Sequence, residues 1–176
     1  EVKFYSEKIL FLPNVWICHS GFDILRKEMP APLIKNKYIT FGSFNNTNKI
    51  SDEIVNVWSK ILQSTNNSRL ILKSSHVYSN KSLKEKFEKN KVLNQITFLN
   101  KKISFEEHID EYKKIDIALD TFPYNGVTTS FEAIWMGVPV LTLKGFNPIS
   151  RVGESINKNL NMNYLIADNK DEYVLK

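Results

Sequence analysis

Apolar residues along this chain follow two spacings. From residue 38 onward, short apolar runs alternate with stretches in which apolar residues recur every three or four positions. Continuous runs at 38–42, 69–73, 96–99, 117–119 and 138–143 predict strands, and 164–166 predicts a last short one. Between the first two, Ile54, Val57, Trp58, Ile61 and Leu62 repeat as one helical face, opened by Ser51 with Asp52 and Glu53 in the first turn. A weaker helical pattern with Leu83 and Phe87 fills 81–90. Ser104 and Glu107 have capping-box spacing and open a helix with Phe105, Ile109 and Tyr112 inward. Residues 145–150 read as a loop, 151–158 as a helix, and 170–176 as the start of another.

The chain is organised around residues 116–143, a strand, loop, helix and strand. Asp120 ends the strand; Pro123, Asn125 and Gly126 make a turn-rich loop. Thr128-Thr129-Ser130 opens the helix, and Thr129 with Glu132 again has capping-box spacing. Phe131, Ile134 and Trp135 line one helical face, and Gly137 with Pro139 suits the stop. Strands alternating with helices predict right-handed crossovers and a Rossmann-like, doubly wound parallel sheet in an α/β protein. Ligands of such sheets bind beyond the carboxyl ends of the strands. Here that place holds a glycine, two threonine hydroxyls and a helix N-terminus, which favours phosphate. Glu132, one turn in, suits the hydroxyls of a ribose. The same residues equally suit a capped helix in an ordinary α/β protein.

Composition narrows the function classes. With 176 residues, 42% of them hydrophobic, the chain can bury a core. No apolar run approaches the ~20 residues of a membrane helix. The net charge of +5 comes mostly from lysines scattered among Asn, Asp and Glu, which reads as a solvated surface rather than a nucleic-acid face. Cys18 is the only cysteine, so no internal disulfide forms; it reads as a small apolar filler. His19, His76 and His108 are far apart in sequence, and no cluster has metal-ligand spacing. The absence of GxGxxG after the first strand argues against a dinucleotide site, and the absence of a P-loop argues against ordinary nucleotide hydrolysis. The opening Glu1-Val2-Lys3-Phe4 lacks the form of a signal peptide. Residues 1–36, with a possible strand at 15–18 and an extended Pro30-Ala31-Pro32, read as the tail of a preceding domain plus a linker. Residues 37–176 read as one Rossmann-like domain, and the chain looks cut from something longer.

Several motifs then occur in order: Phe41-Gly42-Ser43-Phe44-Asn45-Asn46 followed by Lys49-Ile50; the run 116–126 with Asp120-Thr121-Phe122-Pro123; Thr128-Thr129; Trp135-Met136-Gly137-Val138-Pro139-Val140; and Ser150-Arg151-Val152-Gly153. Together they resemble the O-linked N-acetylglucosaminyltransferases and their SPINDLY-like relatives. Tyr5-Ser6-Glu7-Lys8 and Leu12-Pro13-Asn14 look like the end of that family's first catalytic lobe. The resemblance implies a GT-B architecture, with this chain mainly the C-terminal, donor-binding lobe. It further implies an inverting, metal-independent glycosyltransferase with no cofactor. The parent would move N-acetylglucosamine from UDP to Ser or Thr of an acceptor protein bound by an upstream lobe and tetratricopeptide repeats. No such repeat occurs here.

Carried over by motif, Lys49 is the catalytic lysine at the donor diphosphate, stabilising the leaving group. Asn46 lies near the uridine and phosphate, and His108 packs by the nucleoside. The resemblance puts Thr128 and Thr129 at the diphosphate, Glu132 at the ribose, Arg151 in a donor motif, and Asn125 and Gly126 among the donor-binding residues as part of the nucleotide-sugar-binding domain 37–176. There are two departures: Val127 stands where some members have histidine, and Phe105 where some have a nucleobase-contacting lysine. They leave room for a GDP-fucose-type, SPINDLY-like transferase. A non-catalytic scaffold module of the same fold is the remaining alternative. The expected setting is cytoplasmic, the partners are a nucleotide sugar and an acceptor protein, and the high Lys and Asn content suggests a bacterial source. On its own the chain is expected to bind nucleotide and turn over little.

Overall fold

Five of the six strands expected from residue 38 onward pair in one parallel sheet, joined by a displaced sixth at Ile166–Ala167. The structure is a computed structural model that describes residues 5–10, 12, 17–24, 30–74, 77, 80–99 and 104–176. The strands are β1 (Thr40–Ser43), β2 (Arg69–Lys73), β3 (Ile96–Leu99), β4 (Ile117–Leu119), β5 (Val140–Leu143) and β6 (Ile166–Ala167). Their order is β3-β2-β1-β4-β5-β6, and every pairing is parallel. The chain winds outward one way from β1 and the other way from β4. The β1/β4 junction is therefore the switch point, the place where such sheets leave a crevice at their carboxyl ends.

The central strands bury both faces, so neighbouring residues serve different cores. Phe41, Leu70, Leu72, Leu119, Leu141 and Leu143 join one cluster, capped by helices α2 (Asp52–Ser64), α3 (Lys81–Lys89) and α7 (Lys170–Leu175). Ile71, Ala118 and Val140 point the other way, onto α4 (Phe105–Asp110) and α5 (Thr128–Trp135). Trp58 and Phe87 are wholly buried in the first cluster. The helices start where side chains accept first-turn amides: Ser51 from Ile54 N–H at 3.3 Å, and Asn80 from Leu83 N–H at 3.0 Å. Helix α6 (Val152–Asn159) leans on β5, and Asn157 Nδ2 donates to Val140 O at 2.9 Å. Among the described residues no helix is long and apolar enough to cross a membrane.

Several expectations shift. The capping box at Ser104 and Glu107 forms on both arms. The one at Thr129 and Glu132 does not: α5 starts at Thr128 with Val127 as N-cap, and the two side chains bond elsewhere. Residues 163–165 make a 3₁₀ turn rather than a strand, because β6 reaches its neighbour only through Ile166 and Ala167. Phe105 is 48% exposed rather than inward, since it is the first residue of a short helix at the sheet's rim; Ile109 and Tyr112, a turn and two turns on, are buried. Gly137 takes φ 77° just past α5, as a C-terminal stop requires.

The linker and the segment before it contact the sheet domain. Helix α1 (Pro32–Asn36) is tied to the sheet by Asp116, which accepts from Leu33 N–H and Thr40 N–H, both at 2.8 Å. Residues 17–24 lie across the half-buried face of α5. The His19 ring sits 4.8 Å from Phe131, and Phe22 sits 5.7 Å from Trp135 and 5.5 Å from Phe105. Ile17 and Cys18 are not in a strand, and Cys18 is exposed rather than a filler; Val15 and Trp16 lie outside the described residues, as does His76.

Candidate functional site

The crevice is built from two carboxyl-edge loops and the start of a helix. After β1 comes Phe44-Asn45-Asn46 and a 3₁₀ turn, Thr47–Lys49. Asn46 is exposed and caps that turn, accepting from Asn48 N–H at 3.0 Å. The turn aims Lys49 at the loop after β4. Its Nζ donates to Asn125 O at 3.0 Å and stands 4.1 Å from the centre of the Tyr124 ring. Partial burial lowers the Lys49 pKa, and the field of Asp120 opposes the shift. A half-desolvated ammonium with one carbonyl partner retains donors for a phosphate.

Asp120 holds the second loop in place. It is 1% exposed; Oδ1 accepts from Thr121 N–H at 2.9 Å and Gly126 N–H at 2.6 Å, and Oδ2 accepts from Thr142 Oγ1 at 2.8 Å. Burial raises its carboxyl from 3.8 to about 7, while those three bonds and Lys49 pull the other way. Asn125 is buried in the same loop, its Nδ2 donating to Thr121 O at 2.9 Å. Gly126 has no room for a side chain. A Cβ there would lie 2.6 Å from Thr129 Oγ1 and 2.8 Å from Ser130 Oγ. The loop can therefore press its backbone against the start of α5, as it must to present amides to an anion.

Helix α5 supplies the third part. Thr128 is exposed and Thr129 half-buried, with Thr129 Oγ1 donating to Asn45 Oδ1 at 3.1 Å across the β1/β4 junction. As first-turn residues, their amides have no acceptor inside the helix. Glu132, nearly buried one turn on, accepts at Oε2 from Tyr112 OH at 2.9 Å, and the same oxygen meets His108 Nε2 at 3.1 Å. Burial, reinforced by Glu132, pushes the Tyr112 hydroxyl well above its usual pKa, so it remains a donor.

The structure thus gathers Lys49, Asn125, Gly126, Thr129, Glu132 and His108 around one junction. Arg151 is exposed and its Nε donates to Glu154 at 2.7 Å. Burial raises the Glu154 carboxyl, but Arg151 and Lys158 outweigh it and hold that carboxyl below its usual range. Sequence reasoning missed three residues: Asn45, Asp120 and Lys73. Lys73, 8% exposed at the end of β2, places Nζ 2.7 Å from His108 Nδ1. A charged or amide residue closing an apolar run at the ligand-binding edge was the available signal for all three.

On this chain alone the junction is shallow, with a cavity of about 10 Å³ beneath Asn45, Thr129 and Ser130. Larger hollows of about 530 and 540 Å³ lie at the amino ends of β1 and β2 and between α2 and α7. The second of these touches the first turns of α2 and α7, but both turns carry carboxylates (Asp52 and Glu53, Asp171 and Glu172), so the switch point is the better anion site. Among the described residues no three His, Cys, Asp or Glu side chains come together as metal ligands.

Comparison with known proteins gives the family and the fold. A family model described as Glycosyl transferase family 41 matches residues 26–175. The tomato (Solanum lycopersicum) protein named "Probable UDP-N-acetylglucosamine--peptide N-acetylglucosaminyltransferase SPINDLY" is 35% identical over 97% of this chain and 19% of its own length. A Caenorhabditis elegans UDP-N-acetylglucosamine--peptide N-acetylglucosaminyltransferase is 31% identical over 77% of this chain and 12% of its own. The chain spans a fifth or less of the length of these curated relatives. A mutant of the Thermobaculum terrenum O-GlcNAc transferase superposes with a TM-score of 0.80 at 31% identity, covering 88% of this chain and 29% of that one.

Proposed function

The chain belongs to glycosyl transferase family 41, and from that premise we propose that it is the donor-binding lobe of an inverting protein O-glycosyltransferase. The donor is a UDP-sugar, in our reading UDP-N-acetylglucosamine, and the acceptor is a Ser or Thr hydroxyl of a protein. One observation carries the proposal: Lys49, the Gly126 loop, the first turn of α5 and Glu132 converge at the β1/β4 switch point. The diphosphate rests over Gly126 and the amides of Thr128 and Thr129. Lys49 turns from Asn125 O to the phosphate oxygens. Glu132 receives the ribose hydroxyls.

The chemistry follows from those positions. The acceptor oxygen attacks the anomeric carbon on the face opposite the diphosphate. The new C–O bond forms as the bond to the leaving phosphate oxygen breaks, which inverts the centre. Negative charge grows on the nucleoside diphosphate, where Lys49 and the α5 dipole stabilise it in place of a metal. Acceptor binding, and any base that takes the hydroxyl proton, come from a facing lobe and upstream repeats of a longer, cytoplasmic parent. This chain alone therefore binds nucleotide without appreciable transfer.

Calorimetric titration with UDP and GDP tests the reading. UDP should bind, and Lys49→Ala should weaken it by about 1.5–3 kcal/mol, the worth of hydrogen bonds to a charged group. Tighter binding of GDP selects a GDP-fucose-type donor, to which the exposed Phe105 at the nucleobase edge gives some weight. Binding of neither contradicts the proposal and leaves a scaffold module of the same fold.

A further inference from the structure

Lys73 has no role in the account above, yet it is among the least exposed lysines of the described chain. It closes β2 at the carboxyl edge, and its Nζ lies 2.7 Å from His108 Nδ1 and 5.5 Å from the centre of the Phe44 ring. An ammonium has three donors and no acceptor. Burial lowers the Lys73 pKa, but the carboxylates of Glu111 and Glu132 favour its charged form. At 2.7 Å from such a group, Nδ1 must accept. The imidazole proton then sits on Nε2, which donates to Glu132 Oε2 at 3.1 Å. Tyr112 OH donates to the same oxygen at 2.9 Å. Oε2 is thus held by two donors. Oε1 has no protein partner among the described residues and is not one of the sealed, unpaired polar atoms. It is the oxygen left for a ligand.

The opposite tautomer undoes this arrangement. With the proton on Nδ1, His108 turns a lone pair toward the Glu132 carboxylate, and the carboxylate loses one of its two anchors. We propose that Lys73 is a positioning residue for ribose recognition: through the His108 tautomer it fixes Glu132 so that Oε1 faces the hydroxyls of a bound nucleoside diphosphate. The proposal rests on the nucleotide-binding reading of the crevice. It adds a residue that never touches the ligand but sets its selectivity for a ribose over a deoxyribose.

Two measurements test it on the whole chain. Long-range proton–nitrogen NMR of the nucleotide-free protein reads the His108 tautomer, with His108→Gln identifying the signal. Wild type and Lys73→Arg should carry the proton on Nε2, and Lys73→Met should show a mixture or the Nδ1 form. Titration then compares UDP with 2′-deoxy-UDP (or the guanine pair, if GDP is the tighter ligand), with inorganic pyrophosphate as control. Wild type and Lys73→Arg should prefer the ribonucleotide by about tenfold or more, the worth of a hydrogen bond to a carboxylate. In Lys73→Met that preference should fall below about threefold, while pyrophosphate affinity, which depends on Lys49 and α5, stays within about twofold and reports an intact fold. An unchanged tautomer or an unchanged preference in Lys73→Met overturns the proposal alone. A wild type that binds neither nucleotide nor pyrophosphate overturns the crevice reading and the proposal together.

Discussion

Replacing Asp120 with asparagine separates the shape of this carboxylate from its charge. The amide oxygen of Asp120→Asn can keep the bonds from Thr121 N–H and Gly126 N–H that Oδ1 accepts at 2.9 and 2.6 Å. The amide nitrogen can donate to Thr142 Oγ1, where Oδ2 accepted at 2.8 Å. What disappears is a charge buried to 1% exposure. Burial raises the folded carboxyl from 3.8 to about 7. Over that interval the folded state holds a proton that the unfolded chain has released. The group's contribution to stability is therefore full below the unfolded value and is lost as pH rises through the folded one. A gap of about three units is worth about 4 kcal/mol, of which about 3 kcal/mol falls between pH 5 and pH 8.5. The asparagine has no such dependence. Urea denaturation of both proteins at pH 5, 7 and 8.5 measures the difference, so groups common to both cancel. The variant should gain about 3 kcal/mol on wild type across that range. Parallel profiles would mean that Asp120 does not titrate within the fold, and the reasoning would be wrong.

Four further substitutions probe the junction and the elements that hold it. Gly126→Ala puts a methyl 2.6 Å from Thr129 Oγ1; it should cost about 1–3 kcal/mol of stability and weaken UDP about tenfold, read by urea titration and calorimetry. Ser104→Ala removes the oxygen that accepts Glu107 N–H at 3.2 Å and should cost about 1 kcal/mol. Thr129→Ala removes no cap, so its larger effect should be on nucleotide affinity; equal stability losses for the two would refute that distinction. Tyr173→Phe deletes a buried hydroxyl that donates to Asp120 O at 3.0 Å and should cost about 1 kcal/mol in urea, with no loss arguing against that bond.

The fold was legible because strand and helix periods are clean. Leu70, Ile71 and Leu72 form an unbroken apolar run because successive residues enter opposite cores, which only a sheet covered on both faces allows. Local spacing was less dependable. Ser104 and Thr129 each precede a glutamate by three residues, yet only the first caps a helix. At Thr129 the neighbouring strand supplies Asn45, and at Glu132 a different helix supplies His108 and Tyr112. Tertiary partners outbid the local bond there. Tyr164 fell short of a strand for a related reason: the edge of the sheet pairs only with Ile166 and Ala167.

Around the junction, Lys49, Gly126, Thr129 and Glu132 could be named as candidates from the motifs, whereas Asp120 and Lys73, defined by contacts across the sheet, could not. Lys73 is an ordinary strand end until β2 and α4 are brought together. Asp120 ends a strand in the sequence, and its three donors come from positions one, six and twenty-two residues away. Phe131, Ile134 and Trp135 were expected only to share one face of α5. Residues 17–24 cover part of that face, which no periodicity in that segment announces.

The central claim is that the β1/β4 switch point holds a nucleoside diphosphate. Backbone amide NMR during titration with UDP tests it most directly. The account predicts that the largest shifts fall on Gly126, Thr128, Thr129 and Ser130, with His108 and Glu132 next, and that Lys49→Ala weakens the response at all of them together. Shifts centred instead on Lys35, Arg69 and Lys113, around the hollow at the opposite edge of the sheet, would contradict it.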